Sequence, residues 1–296
     1  MVNFMMIAMA LVAAQVLAEV DQEDSSEYGS APGKKSTTCP CGWRNEPKAR
    51  ILHGKETAPN EFPWMVALRS YFSNTYAKCG GAIVTRRHVI TAAHCLVDMY
   101  GDLTPFAPDK VHVYAGIHNI DNNTPKETFR EYRAERTFVR PEFPKNLTHD
   151  FAVIVLKEDI QFSQFVGPIC LSPKNIAKAD EVLTIMGWGT TDVLEYSSVL
   201  MKAKTTVLYN YHCFGEIWEI CTKTKPSSTC GGDSGGPLVW LDPDTNRYTQ
   251  VSLVSYGAPD CVSGPTVSTN VAYFYDYLQQ IIKDTHPEVQ TCIKKE

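Results

Sequence analysis

Three short stretches of this chain hold residue types that do chemistry together. Cys230-Gly231-Gly232-Asp233-Ser234-Gly235-Gly236-Pro237 sets one serine among four glycines and beside an acid. Glycine admits backbone conformations closed to other residues and lets a second chain approach the main chain closely. Ser234 therefore reads as a nucleophile, with the N–H groups of Gly232 and Ser234 facing a developing oxyanion. The plain alternative is a glycine-rich turn after a cysteine. A serine hydroxyl needs a base to attack, and the base needs an orienting acid. Val89-Ile90-Thr91-Ala92-Ala93-His94-Cys95 is an apolar run that ends on a histidine, and Thr148-His149-Asp150-Phe151-Ala152-Val153 puts an aspartate at the mouth of an apolar strand. Taken singly, His94 is a core histidine and Asp150 a strand cap. Taken together, in the order His, Asp, Ser, they form a complete set for acyl transfer.

The elements that must position these residues are short strands between Gly, Pro and Asn turns, the pattern of antiparallel barrels. Alternation or apolar runs mark strands from Phe62 to Leu68 onward, at Cys79 to Val84, Val111 to Gly116 and Phe151 to Leu156. Further strands are marked at Glu181 to Gly189, Pro237 to Trp240 and Gln250 to Tyr256. Apolar residues at helical spacing predict a C-terminal helix near residues 272–283. Residues 19–38 are acidic, then rich in Ser, Gly and Lys, and too poor in apolar groups to offset the entropy of ordering.

Composition bounds the function classes. The 296 residues suffice for one large domain or two small barrels, and a net charge of −5 gives no basic footprint for nucleic acid. Ten cysteines, an even number, point to an oxidising compartment. An apolar run from Met5 to Leu17, with Val16-Leu17-Ala18 as a cleavage site before Glu19, predicts a signal peptide over residues 1–18 and a secreted, extracellular protein with no membrane span. The run lacks basic residues at its start and is too short to cross a membrane comfortably. Cys39 and Cys41 could be read as zinc ligands, but a single intervening residue is not ligand spacing and no second Cys/His pair answers them. Asn122 and Asn146 begin glycosylation sequons, the second close to Asp150.

With those three stretches in that order, the chain resembles the chymotrypsin-like, trypsin-fold serine proteases from Ile51 to about Asp284. The resemblance implies an all-β fold of two six-stranded antiparallel Greek-key barrels with a C-terminal helix, residues 51–296 forming the protease domain. It implies a serine endopeptidase in which His94, Asp150 and Ser234 are catalytic, needing no cofactor and no metal. Gly116-Ile117-His118-Asn119 has isoleucine where calcium-binding relatives carry a glutamate. Pro47-Lys48-Ala49-Arg50-Ile51 looks like an activation junction: cleavage after Arg50 frees an ammonium on Ile51 for Asp233, and residues 19–50 become a pro-segment. Leu52 and His53 depart from the family's usual Val and Gly.

The resemblance also implies disulfides Cys41–Cys170, Cys79–Cys95, Cys213–Cys221 and Cys230–Cys261. Cys39 and Cys292 remain, to pair with each other or with another molecule. Ser228, Thr229, Ser255, Tyr256, Gly257 and Thr266 fall at substrate-binding positions. Ser228 stands where trypsin-like relatives carry an aspartate, Tyr256 where tryptophan is usual, and Thr266 where most relatives have a glycine. A neutral floor cannot hold a substrate cation without cost, so an apolar residue before the scissile bond is expected. The enzyme then could not cut after its own Arg50, and a separate trypsin-like activating protease is expected. Protein substrates and serpins or other inhibitors are the expected partners of a monomer.

Two rivals are weighed. A silent homologue serving as a binding or cofactor module would usually lack a triad member or the oxyanion glycine, and none is missing. An α/β-hydrolase esterase shares the pattern Gly232-x-Ser234-x-Gly236, but there the acid and histidine follow the serine. The Cys41-Gly42-Trp43 lead, the Asn60-Glu61-Phe62-Pro63-Trp64 start and the Thr91-Ala92-Ala93-His94-Cys95 context resemble secreted insect enzymes, hymenopteran venom proteases among them; digestion and immune cascades fit comparably.

Overall fold

Pairing between strands explains how three distant stretches meet. A computed structural model describes residues 29–45, 55–72, 75–121, 128–143, 148–190, 196–213, 215–224, 231–261 and 263–296. The first half holds β2 (Met65–Phe72), β3 (Thr75–Ile83), β4 (His88–Thr91), β5 (Val111–Ala115), β6 (Arg130–Val139) and β7 (Ala152–Leu156), after the two-residue β1 (Lys55–Glu56). These close into an antiparallel barrel in the order β2-β3-β4-β7-β6-β5. The second half holds β8 (Val182–Gly187), β9 (Met201–Thr206), β10 (Glu219–Thr222), β11 (Pro237–Asp242), β12 (Arg247–Tyr256) and β13 (Thr266–Asn270). With β1 they make a seven-stranded antiparallel sheet, β1-β9-β8-β11-β12-β13-β10. The helix α1 spans Tyr275–Thr285, two to three residues later than the sequence spacing predicts.

Register fixes which strand ends meet. In the barrel, Thr91 at the end of β4 pairs with Ala152 at the start of β7. His94, three residues beyond Thr91, and Asp150, two before Ala152, therefore leave the barrel at one end. In the sheet, Pro237 of β11 pairs with Leu253 of β12. Ser234 and Ser255 accordingly share one end of the second array. A core containing Trp64, Phe151, Val153, Val239, Leu253, Phe274 and Leu278 packs the two arrays and α1 against each other. A second core, with Val66, Leu68, Ile83, Val89 and Ile154, fills the barrel.

The structure joins Cys39–Cys292, Cys41–Cys170, Cys79–Cys95 and Cys213–Cys221. Cys261 is also disulfide-bonded, and its expected partner Cys230 lies outside the described residues. The pairing left open for Cys39 and Cys292 is thus intramolecular.

One expectation needs correction. Residues 29–38 are ordered rather than disordered, held by main-chain bonds in place of apolar burial. Gly33 N donates to Thr245 O at 2.8 Å, Lys35 N to Asp244 O at 2.9 Å and Thr38 N to Ile293 O at 2.8 Å. Arg247 Nη1 donates to Ser30 O at 2.8 Å. Composition counts only side-chain burial, so it is blind to a strap whose partners are backbone groups. The predicted signal peptide over residues 1–18 lies outside the described residues.

Candidate active site

Each member of the trio is set by its own local device. His94 sits in a single 3-10 turn, Ala93–Leu96, whose other described side chains are buried. The Cys79–Cys95 disulfide ties that turn to β3. Asp150 is presented by an unusual neighbour on one side and an anchored one on the other. His149 adopts φ +57°, a left-handed conformation that side-chain-bearing residues rarely hold. Its ring stacks on Trp218 with centroids 4.2 Å apart. Phe151 is fully buried and stacks on Phe274, just before α1, at 4.8 Å.

Asp150 and His94 are joined. Asp150 Oδ2 accepts from His94 Nδ1 at 2.7 Å, and Oδ1 accepts from the His94 backbone N–H at 2.9 Å. Ser255 Oγ donates to Oδ2 at 2.5 Å. Thr269 Oγ1 donates to the Asp150 carbonyl at 2.8 Å, fixing the backbone as well. Burial alone would push the Asp150 carboxyl up, but the His94 charge and the donated hydrogen bonds together hold it below the usual range. Burial pushes the His94 imidazole down, and the Asp150 charge and hydrogen bond outweigh that, raising it overall. The pair is only 20% and 8% exposed at its side chains, so little solvent screens it.

Ser234 is placed through its backbone. Gly80 N, one residue past Cys79, donates to the Ser234 carbonyl at 2.8 Å, and Gly235 N donates to Val254 O at 2.9 Å. Gly235 has φ +72°, and a Cβ there would lie 2.1 Å from Thr91 Oγ1. The Ser234 loop is thus pressed onto the strand end that leads to His94, and only glycine permits it. Among the described residues no hydrogen bond joins Ser234 Oγ to His94. Such bonds are commonly long before substrate arrives and tighten in the complex.

Gly232, with φ +95°, lies under the Tyr196 ring, which a Cβ would meet at 2.8 Å. Asp233 Oδ1 accepts from Gly189 N at 2.9 Å. A Cβ on Gly187 or Gly189 would stand 2.1 or 2.3 Å from that carboxylate, so these two glycines make room for it. Around the expected pocket, a Cβ on Gly257 would sit 3.7 Å from Thr266 Oγ1, so the two residues face each other. Tyr256, half-exposed, donates its hydroxyl to Glu219 Oε1 at 3.0 Å. Burial, then the Glu219 charge, pushes the Tyr256 phenol up to about 12.

Arg50, Ile51, Ser228, Thr229, Asn122 and Asn146 lie outside the described residues. Among the described residues Cys79, His94 and Cys95 bring metal-ligating atoms within 4.8 Å of one another, but the two sulfurs share a disulfide and offer no thiolate. Nothing in the sequence marks Thr269, Glu219 or Tyr196 as neighbours of the site; each arrives through strand register or a loop.

Residues 51–278 match the family model for Trypsin. The chain belongs to the trypsin family. This trypsin-family chain is 30% identical over 273 residues to "Venom serine protease 34" of Apis mellifera, covering 88% of this chain and 64% of that relative. It is 30% identical to "Venom serine protease" of Polistes dominula, over 82% of this chain and 88% of the relative. It is 31% identical to "Chymotrypsin-2" of Vespa crabro, over 78% and 99%. The chain therefore spans just under two thirds of the first of these relatives. Among the described residues no helix of this trypsin-family protein is long and apolar enough to cross a membrane.

Proposed function

We propose that this protein is a secreted serine endopeptidase made as a zymogen. The observation that carries the reading is the 2.7 Å bond from His94 Nδ1 to Asp150 beside a serine loop hydrogen-bonded to β3. With Nδ1 donating to Asp150, the other ring nitrogen, Nε2, is left as the base. His94 takes the Ser234 proton as Oγ attacks the scissile carbonyl, and returns it to the leaving amine as the acyl-enzyme forms. Gly232 N and Ser234 N hold the oxyanion. Water then attacks the acyl group, His94 again acting as base, and Ser234 is released.

Residues 1–18 are the signal peptide, 19–50 the pro-segment and 51–296 the protease domain in this reading. Cleavage after Arg50 frees the Ile51 ammonium to join Asp233 beside Gly187 and Gly189, and that charge pairing orders the Gly232 hole. Ser228 and Thr229 form a neutral floor, with Thr266 facing Gly257, so Leu, Met or Val precedes the scissile bond more often than Arg or Lys. Activation then comes from a separate trypsin-like protease. Proclotting and phenoloxidase-activating relatives support protein substrates. The two Hymenoptera venom relatives support secretion.

Two measurements test this. The protein cleaved at Arg50 is treated with a fluorophosphonate probe. Labelling of wild type but not of Ser234→Ala is expected, and an unreactive wild type would leave the silent binding-module reading. Purified zymogen is then incubated alone; self-cleavage at Arg50–Ile51 that Ser234→Ala abolishes would overturn the need for a separate activator.

A further inference from the structure

The flank of the nucleophile on the His94 side carries a cation that the chemistry above does not use. Lys78 is the residue before Cys79, so it is tied by the Cys79–Cys95 disulfide to the turn that holds His94. Its ammonium lies over the Tyr196 ring, 4.8 Å from the centroid. That ring packs on Gly232, the expected oxyanion donor, closely enough that a Cβ there would stand 2.8 Å from Tyr196 Cε1. Tyr196 is half-exposed and Lys78 exposed, so ring and ammonium face solvent beside Gly232. Among the described residues Lys78 makes no ion pair. Its cross-strand partner in β2 is another cation, Arg69, whose guanidinium sits over the Tyr76 and Tyr114 rings.

Direction along the cleft follows from the proton transfer. His94 delivers its proton to the leaving amine, so the half of the substrate after the scissile bond passes on the His94 side, by the Cys79–Cys95 bridge. The acyl half lies over the end of β12, where Ser255 and Tyr256 stand and the Tyr256 hydroxyl meets the Glu219 carboxylate. We infer that Lys78, held by Tyr196, is a specificity residue that selects an acidic side chain at the second residue after the scissile bond. A carboxylate there would meet an ammonium whose present partner is an aromatic face, and the two attractions can act on the ammonium together. The inference rests on the endopeptidase reading and adds a substrate class to it.

The test uses the full-length protein cleaved at Arg50 and three quenched fluorescent peptides. They are identical except for Glu, Gln or Lys at the second position after the scissile bond, with Leu before it. The readout is the ratio of kcat/KM values within each variant, so that losses common to all substrates cancel. Wild type is expected to favour Glu over Lys about fivefold, the size of a good exposed ion pair. The ratio should shrink toward one as salt rises to about 0.5 M, where charges are screened beyond a few ångströms. Lys78→Met should bring it near one, and Lys78→Glu should invert it. Tyr196→Ala, which frees the ammonium from its ring, should reduce it without inversion. Equal cleavage of all three peptides by wild type, or a preference that Lys78→Glu leaves in place, overturns the assignment and leaves the endopeptidase reading intact. Cleavage of none of them by an enzyme that still reacts with fluorophosphonate overturns both.

Discussion

Ser255 Oγ and His94 Nδ1 donate to the same oxygen, Asp150 Oδ2, at 2.5 and 2.7 Å. The serine comes from the end of β12 in the second sheet and the other two from the first barrel, so this carboxylate is bonded across the joint between the two arrays. A hydrogen bond to a charged group contributes about 1.5–3 kcal/mol. Ser255→Ala should therefore lower kcat/KM about tenfold or more and, losing the same bond, lower the thermal midpoint by a few degrees. Asp150→Asn should lower it on the order of 10⁴. Steady-state kinetics on one apolar peptide checks both, and an undiminished Ser255→Ala enzyme would show that the joint does not matter.

The His94 imidazole is raised above its ordinary value of 6.5 because Asp150 outweighs burial. The neutral ring is the base, so activity should fall as pH drops, with a midpoint above 6.5. The sign for stability is opposite: a raised group adds stability that is full below its unfolded pKa and is lost as pH rises through the folded one. NMR titration of the His94 ring in Ser234→Ala should give a midpoint above 6.5, and Asp150→Asn, which leaves burial acting alone, should bring it down.

His88 is buried in β4, bonded to Thr85 Oγ1 and to Thr285 Oγ1 of α1, each at 2.8 Å. Burial first, then the charges of His286 and Arg87, lowers its pKa to about 4, against a smaller upward pull from Glu288. Between 6.5 and 4 the unfolded chain binds the extra proton, so stability should fall as pH drops through that window, by about 1.4 kcal/mol per unit at most. Urea denaturation at several pH values should show this slope in wild type and a flatter one in His88→Gln. The variant should also be about 1–3 kcal/mol less stable at pH 7, through imperfectly matched buried hydrogen bonds.

Gly235 has room for no side chain. A Cβ would stand 2.1 Å from Thr91 Oγ1, and the φ of +72° is itself unfavourable for alanine. The left-handed conformation costs roughly 1–2 kcal/mol before the clash is counted. Gly235→Ala should shift Ser234 off β3 and reduce kcat about 10²-fold, as displacements near 1 Å in an active site do. Fluorophosphonate labelling rates, compared with the melting temperature, would separate a misplaced serine from an unfolded protein.

Two disulfides hold the pre-segment, Cys41 to Cys170 and Cys39 to Cys292. Once the chain is cut after Arg50, either bond alone should keep the N-terminal piece attached. On a non-reducing gel, Cys41→Ser with Cys170→Ser should still run as one species, as should Cys39→Ser with Cys292→Ser. Only the fourfold variant should release the piece, and release from either pair alone would contradict the Cys39–Cys292 or Cys41–Cys170 bond that remains.

The sequence by itself determined the family: the runs around His94, Asp150 and Ser234 carry the resemblance, and residues 51–278 match the family model for Trypsin. It also determined the regular strands, since Val111–Ala115 and Ala152–Leu156 are apolar enough to announce themselves. β6 escaped notice because its exposed edge of Arg130, Glu131, Arg133, Glu135 and Arg136 hides the buried Tyr132 and Ala134. β13 escaped because Thr266, Ser268, Thr269 and Asn270 are polar yet buried. Only the tertiary structure decided what lies beside the trio. Register brings Thr269 to the Asp150 carbonyl, a loop brings Tyr196 over Gly232, and main-chain bonds order residues 29–38. These contacts join groups distant along the chain, and a backbone N–H or carbonyl can meet any partner geometry offers, so no local pattern of side chains encodes them.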